Sequence, residues 1–138
     1  MEENTTHFEL VTPEALAASE AVGMVVIPGA EGDMGVMRQH APLIAQLRPG
    51  VIRFYDTIAA NPRRHVFVSG GVAEIDGEHC VVLAEEAIDL SQADAQAAQN
   101  RLNEAKVAME SASTTGEKTV AQNQLVVAEA LVTALSLS

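Results

Sequence analysis

The chain reads as two parts, an N-terminal β-sandwich and a C-terminal antiparallel helical hairpin, and three observations predict this. Short apolar runs broken by Gly, Pro or Asp-Gly follow one another up to about Ala87, the mark of a sandwich or flattened barrel. From Ser91 neither Gly nor Pro occurs until Gly116, and apolar residues change to helical spacing. The charge is uneven as well, since residues 1–90 hold 14 of the 19 acidic and 5 of the 8 basic residues. The expected domains are 1–88 and 89–138. With 48% apolar residues, 138 positions are enough for one good core. Aromatic content of 3% with no Trp predicts an aliphatic core of Val, Ile, Leu, Met and Ala.

Taken in order, Phe8 and Leu10 recur at period two, with Thr12 continuing their face up to Pro13. Glu14 to Ala21 is Ala-rich, but too short between Pro13 and a strand for a stable helix, so an extended edge segment is expected. The run Val22 to Ile27 stops at Pro28-Gly29. Gly29 to Gly50 places glycines and prolines where tight turns are needed, with Val36, Leu43, Ile44 and Leu47 as buried anchors. It reads as a compact, ordered loop system, a surface for contact. Val51 to Tyr55 is a strand launched by Pro49-Gly50, and residues 59–64 are turn-like. His65 to Ser69, Val72 to Ile75 and His79 to Ala84 are further strands, separated by Gly70-Gly71 and by an Asp76-Gly77 hairpin turn.

Ser91 followed by Asp94 marks a helix start, so helices are expected over about 91–112 and 117–136, broken at Ser113-Thr114-Thr115-Gly116. Ala95, Ala98, Leu102, Ala105, Met109 and Ala112 form one helical stripe. Ala121, Leu125, Ala128, Val132 and Leu135 form the other, and the two stripes are expected to pack against each other.

Little in the chain points to chemistry. A net charge of −11 excludes a nucleic-acid backbone as partner. Cys80 is the only cysteine, so no intramolecular disulfide can form, and its run Cys80-Val81-Val82-Leu83 makes it a buried thiol. Met1-Glu2-Glu3 carries acid where a signal peptide carries base, and no apolar run approaches the ~20 residues a bilayer requires. Membrane work is therefore expected only through other proteins. The glycine clusters lack the Gly-Lys-Ser/Thr ending of a phosphate loop. His7, His40, His65 and His79 are scattered without metal-ligand spacing, so no metal and no cofactor are expected; His40 alone sits where it could pin a loop or meet a partner. Glu85 and Glu86, as strand neighbours, point to opposite faces, and Glu31 and Asp33 coat an exposed turn. Ser69 is not set in a nucleophile elbow. No catalytic residue emerges, which favours a binding or structural role over an enzyme.

Five motifs in register resemble the epsilon subunit of F-type ATP synthase, called delta in mitochondria. They are Gly32-Asp33-Met34-Gly35-Val36, Gln39-His40-Ala41-Pro42-Leu43, Leu47-Arg48-Pro49-Gly50, Val68 to Ile75 and Val82 to Ala87. The resemblance implies a sandwich of about ten strands carrying a helix-loop-helix. It implies a non-catalytic rotor subunit of the central stalk that couples c-ring rotation to ATP synthesis, at the cytoplasmic face of a bacterial inner membrane. The sandwich would bind the gamma subunit and the ring of c subunits: Glu31, Gly32, Asp33 and Met34 toward the ring, and His40, Ala41, Pro42 and Leu43 toward gamma. In many relatives the hairpin is a brake whose basic second helix meets the catalytic alpha/beta head. Here no Lys or Arg follows Lys118, and Glu129 is the one charged residue left, so inhibition is expected to be weak. The nucleotide motif Ile-Asp-x-x-Arg-Ala reads Ile88-Asp89-Leu90-Ser91-Gln92-Ala93, with Gln92 in place of Arg, so no nucleotide binding is expected. Both departures bring the chain close to the mitochondrial form. The alternative is a stand-alone ligand-binding or regulatory sandwich with a helical dimerisation arm.

Overall fold

The computed structural model describes residues 4–137, so Met1-Glu2-Glu3, on which the absence of a signal was argued, lies outside the described residues. The chain divides into two compact units, the first ending at Asp89 and the second starting at Leu90. The first holds ten strands: β1 (Thr6–Val11), β2 (Leu16–Val22), β3 (Met24–Gly29), β4 (Gly32–Val36), β5 (Leu43–Leu47), β6 (Gly50–Tyr55), β7 (Arg64–Val68), β8 (Gly71–Ile75), β9 (His79–Leu83) and β10 (Ala87–Asp89). They join in the order β10-β7-β6-β3-β5-β8-β9-β1-β2, with β4 on the other side of β3. This is a β-sandwich rolled almost into a barrel. Every pair is antiparallel except β1 with β9, because β1 is inserted between β2 and the last long strand of the sheet.

Register decides which side chains enter the core, since residues paired across strands share a face. Ile75, Cys80 and Phe8 stand in one inward row on β8, β9 and β1; Ala73, Val82, Leu10 and Ala18 stand in the next. All seven are buried. Burial pushes the Cys80 thiol up to about 12, so it stays protonated and inert at neutral pH.

Several expectations change. The largely aliphatic core is also anchored by two phenylalanines, Phe8 and Phe54, and among the described residues no methionine is fully buried; Phe67, fully buried as well, lies on the opposite face of β7 from the core residues Val66 and Val68. Phe8 meets Phe54 edge to face at 5.0 Å, filling the interior with area that no aliphatic side chain matches. The run Val22 to Ile27 is two strands, split at Gly23, where a Cβ would lie 2.1 Å from the Asp56 carbonyl oxygen. Gly29 to Gly50 is not a loop system, because β4 and β5 lie within it and pair with β3 and β8. Val36 and Leu47 are buried anchors, whereas Leu43 and Ile44 are 41% and 71% exposed. Glu85 and Glu86 lie in the bend between β9 and β10, not on a strand.

In the second unit a 3-10 turn (Leu90–Gln92) precedes α1 (Ala95–Ser111). The expected start near 91 gives way to Asp94, whose carboxylate accepts from the Gln96 and Ala97 amides and caps the helix. Ala112 has left the helix with an extended backbone. The second helix, α2 (Thr115–Leu137), starts two residues before the expected 117 because of a capping box. The Thr114 hydroxyl accepts from the Glu117 amide at 3.1 Å, and the Glu117 carboxylate accepts from the Ser113 and Thr114 amides. Those amide bonds hold the Glu117 carboxyl below its usual range.

The two helices pack on each other along Leu102, Ala105 and Ala128, flanked by Leu125 and Val132. Ala98 and Ala121 are also buried, and Met109 and Leu135 are half-buried. Ala95 is exposed, since it opens the first turn beyond the end of the buried stripe. Leu131 and Ala134, outside the expected stripe, are buried. The expectation that no run approaches membrane-spanning length is also revised. Among the described residues α2 is long and apolar enough, by length and composition, to cross a membrane. Glu129 and the adjacent Gln122, Asn123 and Gln124 are what a hydrocarbon core penalises.

Candidate functional site

The turn that joins β3 to β4 is exposed and braced by two arginines. Arg48, from the loop after β5, donates through Nη1 to the Gly29 carbonyl and through Nη2 to Asp33 Oδ1, both at 2.6 Å. Arg53 on β6 reaches Asp33 Oδ2 at 3.3 Å. The Arg48 amide donates to the Pro28 carbonyl and the Ala30 amide to the Gln46 carbonyl, at 2.9 and 2.8 Å. A partly exposed ion pair contributes only about 0–1 kcal/mol to stability, so this set matters for stiffness rather than for folding energy. Asp33 is therefore not a free acid coating a turn; Glu31 and Gly32 remain exposed, and Met34 is half-buried against the core.

The turn and β5 border one open groove of about 510 Å³, lined by Gly29 to Met34 and Leu43 to Gln46. A second open groove of about 550 Å³ lies on the other side of Leu43 and Ile44, with Pro42, Glu74, Asp76 and His79. Glu31, Gly32, Asp33, Met34 and Leu43 are thus brought together, and Pro42 continues the same surface. Ala41 and Pro42 are exposed, while His40 is half-buried and donates from Nδ1 to the Ala41 carbonyl at 2.7 Å. His40 pins its own loop. Gln39, at φ 68°, ties that loop to the β8–β9 turn by donating its amide to the Gly77 carbonyl at 2.7 Å.

Sequence reasoning missed the exposed apolar character of this face. Val72, Leu83 and Val11 form an outward row across β8, β9 and β1, and Ile44 and Val81 belong to the neighbouring one. Leu83 and Leu16 are 45% and 56% exposed. The period-two signal was present, but alternation alone does not say which face is covered. None of these groups is arranged for bond making. Among the described residues no group of His, Cys, Asp or Glu is placed to hold a metal. Gln92, at the missing arginine of the nucleotide motif, is exposed at the end of the 3-10 turn, and Asp89 is engaged by Arg64 at 3.0 Å.

The family model described as ATP synthase, Delta/Epsilon chain, beta-sandwich domain matches residues 5–90. The chain belongs to this family. The ATP synthase epsilon chain of Rhodospirillum rubrum is 45% identical over 130 residues, covering 94% of this chain and 96% of that one. The epsilon chain of Paramagnetospirillum magneticum is 44% identical over 129 residues with the same coverage. A chain in the Euglena gracilis mitochondrial ATP synthase structure shares the fold, with TM-score 0.79 and 23% identity over 96% of this chain and 82% of its own. Another, in the Tetrahymena thermophila mitochondrial enzyme, gives TM-score 0.64 at 14% identity over 96% and 94%. Delta/epsilon chains are non-catalytic subunits, and the alternative of a stand-alone ligand-binding module gives way to this assignment.

Proposed function

We propose that this delta/epsilon chain is a central-stalk rotor subunit of a bacterial proton-translocating F-type ATP synthase, coupling c-ring rotation to ATP synthesis. It would act at the cytoplasmic face of the inner membrane, held there by other subunits. The observation that carries the reading is the similarity to bacterial ATP synthase epsilon chains along nearly the full length of both chains. In this reading Glu31, Gly32, Asp33 and Met34 meet the c-ring, and His40, Ala41, Pro42 and Leu43 meet gamma, with Ile44 added to that patch because it is the more exposed neighbour. A subunit that transmits torque needs contact residues on a support that does not yield. The arginine bracing of the turn and the adjacent strand fit that demand.

Excising Gly29 to Gly50 would remove β4 and β5 and collapse the sheet, so the test uses point substitutions. The double variant Leu43→Asp, Ile44→Asp is expected to bind gamma at least about tenfold more weakly, as loss of apolar anchors at an interface does. In membrane vesicles, proton pumping per ATP hydrolysed should fall while hydrolysis continues. Unchanged pumping, with the melting curve confirming a folded sandwich, would overturn the reading.

The hairpin is proposed to contribute little inhibition, because α2 has no basic residue after Lys118 with which to hold an acidic surface. Truncation is best placed after Asp89 rather than after Ile88, since Asp89 is bonded to Arg64 within the sandwich. The ATPase activity of the isolated head should change by less than about twofold, well under 1 kcal/mol of coupling. A several-fold rise on truncation would show a working brake.

A further inference from the structure

The two ends of the strand order, β2 and β10, are joined by side chains. Glu20 stands on β2 in the inward row that continues Cys80 and Phe8, so its carboxylate points at the seam of the sandwich. On the other side Arg64 pairs in register with Phe54, and Asp89 with Val66, two residues along β7 from Arg64. All three polar side chains therefore meet at one edge of the core. Arg64 donates through Nη1 to Glu20 Oε2 and through Nε to Asp89 Oδ2, each at 3.0 Å. Its guanidinium lies 5.3 Å from the centre of the Phe54 ring. Arg63 completes the cluster by bonding both Glu20 and Asp56. The side chains of Arg64, Glu20 and Asp89 are 31%, 25% and 23% exposed, so the pairs are half-buried yet still within reach of salt.

β10 is the weakest strand by construction. It has three residues, all half-buried, and its one strand neighbour is β7. It is also the last element before Leu90, where the second unit begins.

We propose that Arg64, forked between Glu20 and Asp89, is a catch that keeps β10 in the sheet, and that opening it frees Ala87, Ile88 and Asp89 as a linker ahead of Leu90. With the catch closed, the second unit follows the last strand directly. With it open, these three residues span up to about 10 Å, at ~3.3 Å per extended residue. The fork suits arginine, because its planar guanidinium holds Nε and Nη1 apart at fixed positions, whereas a lysine ammonium offers all its donors from a single nitrogen.

The test is native-state hydrogen exchange on the full chain, comparing amides of β10 and its partners Val66, Phe67 and Val68 with those of Ile75 and Val82 as internal reference. Arg64→Met keeps a stem over Phe54 and loses the fork. It should speed exchange at β10 about tenfold or more over the reference, as loss of a local restraint does. Proteolytic cleavage between Ala84 and Gln92 should rise in parallel. Raising salt to about 1 M should speed β10 exchange in the native chain and leave the variant unaffected, because only the native catch is ionic. Asp89→Asn, a milder change, should act in the same direction and decides the matter if Arg64→Met does not fold. Uniform acceleration across the sheet would make Arg64 a general support of the core. Unchanged β10 exchange in both variants would mean that the ion pairs hold nothing. Either result overturns the proposal.

Discussion

Gly71→Ala is expected to destabilise the β-sandwich by about 3–5 kcal/mol, because strained backbone and a main-chain collision act at the same position. Gly71 opens β8 with φ at 144°, a region that residues with a Cβ rarely enter. A Cβ there would also lie 2.1 Å from the Leu83 carbonyl oxygen and 3.0 Å from its carbon. That obstacle is backbone and cannot rotate away, so β9 must shift and strain the Val72–Leu83 rung between β8 and β9. The same shift is passed to β5 through the Leu47–Gly71 pair. Urea unfolding of the full chain measures the effect, and a loss below about 1 kcal/mol would show that the close approach is relieved cheaply.

Phe54→Ala should cost about 3–5 kcal/mol, the usual range for deleting a fully buried aromatic ring. Phe54 is wholly buried, meets Phe8 edge to face, and carries the guanidinium groups of Arg63 and Arg64 at 5.9 and 5.3 Å. Removing it opens a cavity between the two walls and takes away the platform beneath the cationic groups. Phe54→Leu, which leaves most of the volume filled, should cost less than half as much, by about 1–2 kcal/mol. Thermal unfolding followed by circular dichroism distinguishes the two. Equal losses would mean that the ring position, not the buried volume, is what the core requires.

The two-part organisation was legible because strand and helix periods depend on residues two to four apart. Asp76-Gly77 marks the turn between β8 and β9 as its sequence predicts, but neither residue takes the positive φ of a tight two-residue hairpin; the Asp76 carboxylate closes the turn by accepting from the Glu78 and His79 amides at 2.8 and 2.7 Å. Other local signals were readable and were weighed wrongly. Asp94 caps the helix rather than lying inside it, and Thr114-x-x-Glu117 is a capping box rather than a plain break. Leu43 and Ile44 read as core because they are apolar, yet Ile44 pairs with outward-facing Glu74, and Leu43, although it pairs with inward Ile75, opens β5 at the end of the strand and stays 41% exposed. The clasp of Glu20, Arg64 and Asp89 had no signal in the sequence, since its members lie 44 and 25 residues apart.

By itself the sequence determined the β-then-α order, the inert buried thiol and the motif set that marks the delta/epsilon family, because each depends on composition or on near neighbours. Only the tertiary structure decided that β1 enters parallel beside β9, that Phe8 and Phe54 meet in the core and that an arginine fork joins the two ends of the sheet. The physical reason is that strand pairing is chosen by the burial gained when the whole sheet rolls up. The entropy of closing the loops between strands grows only slowly with their length, so distance along the chain leaves the partner undetermined.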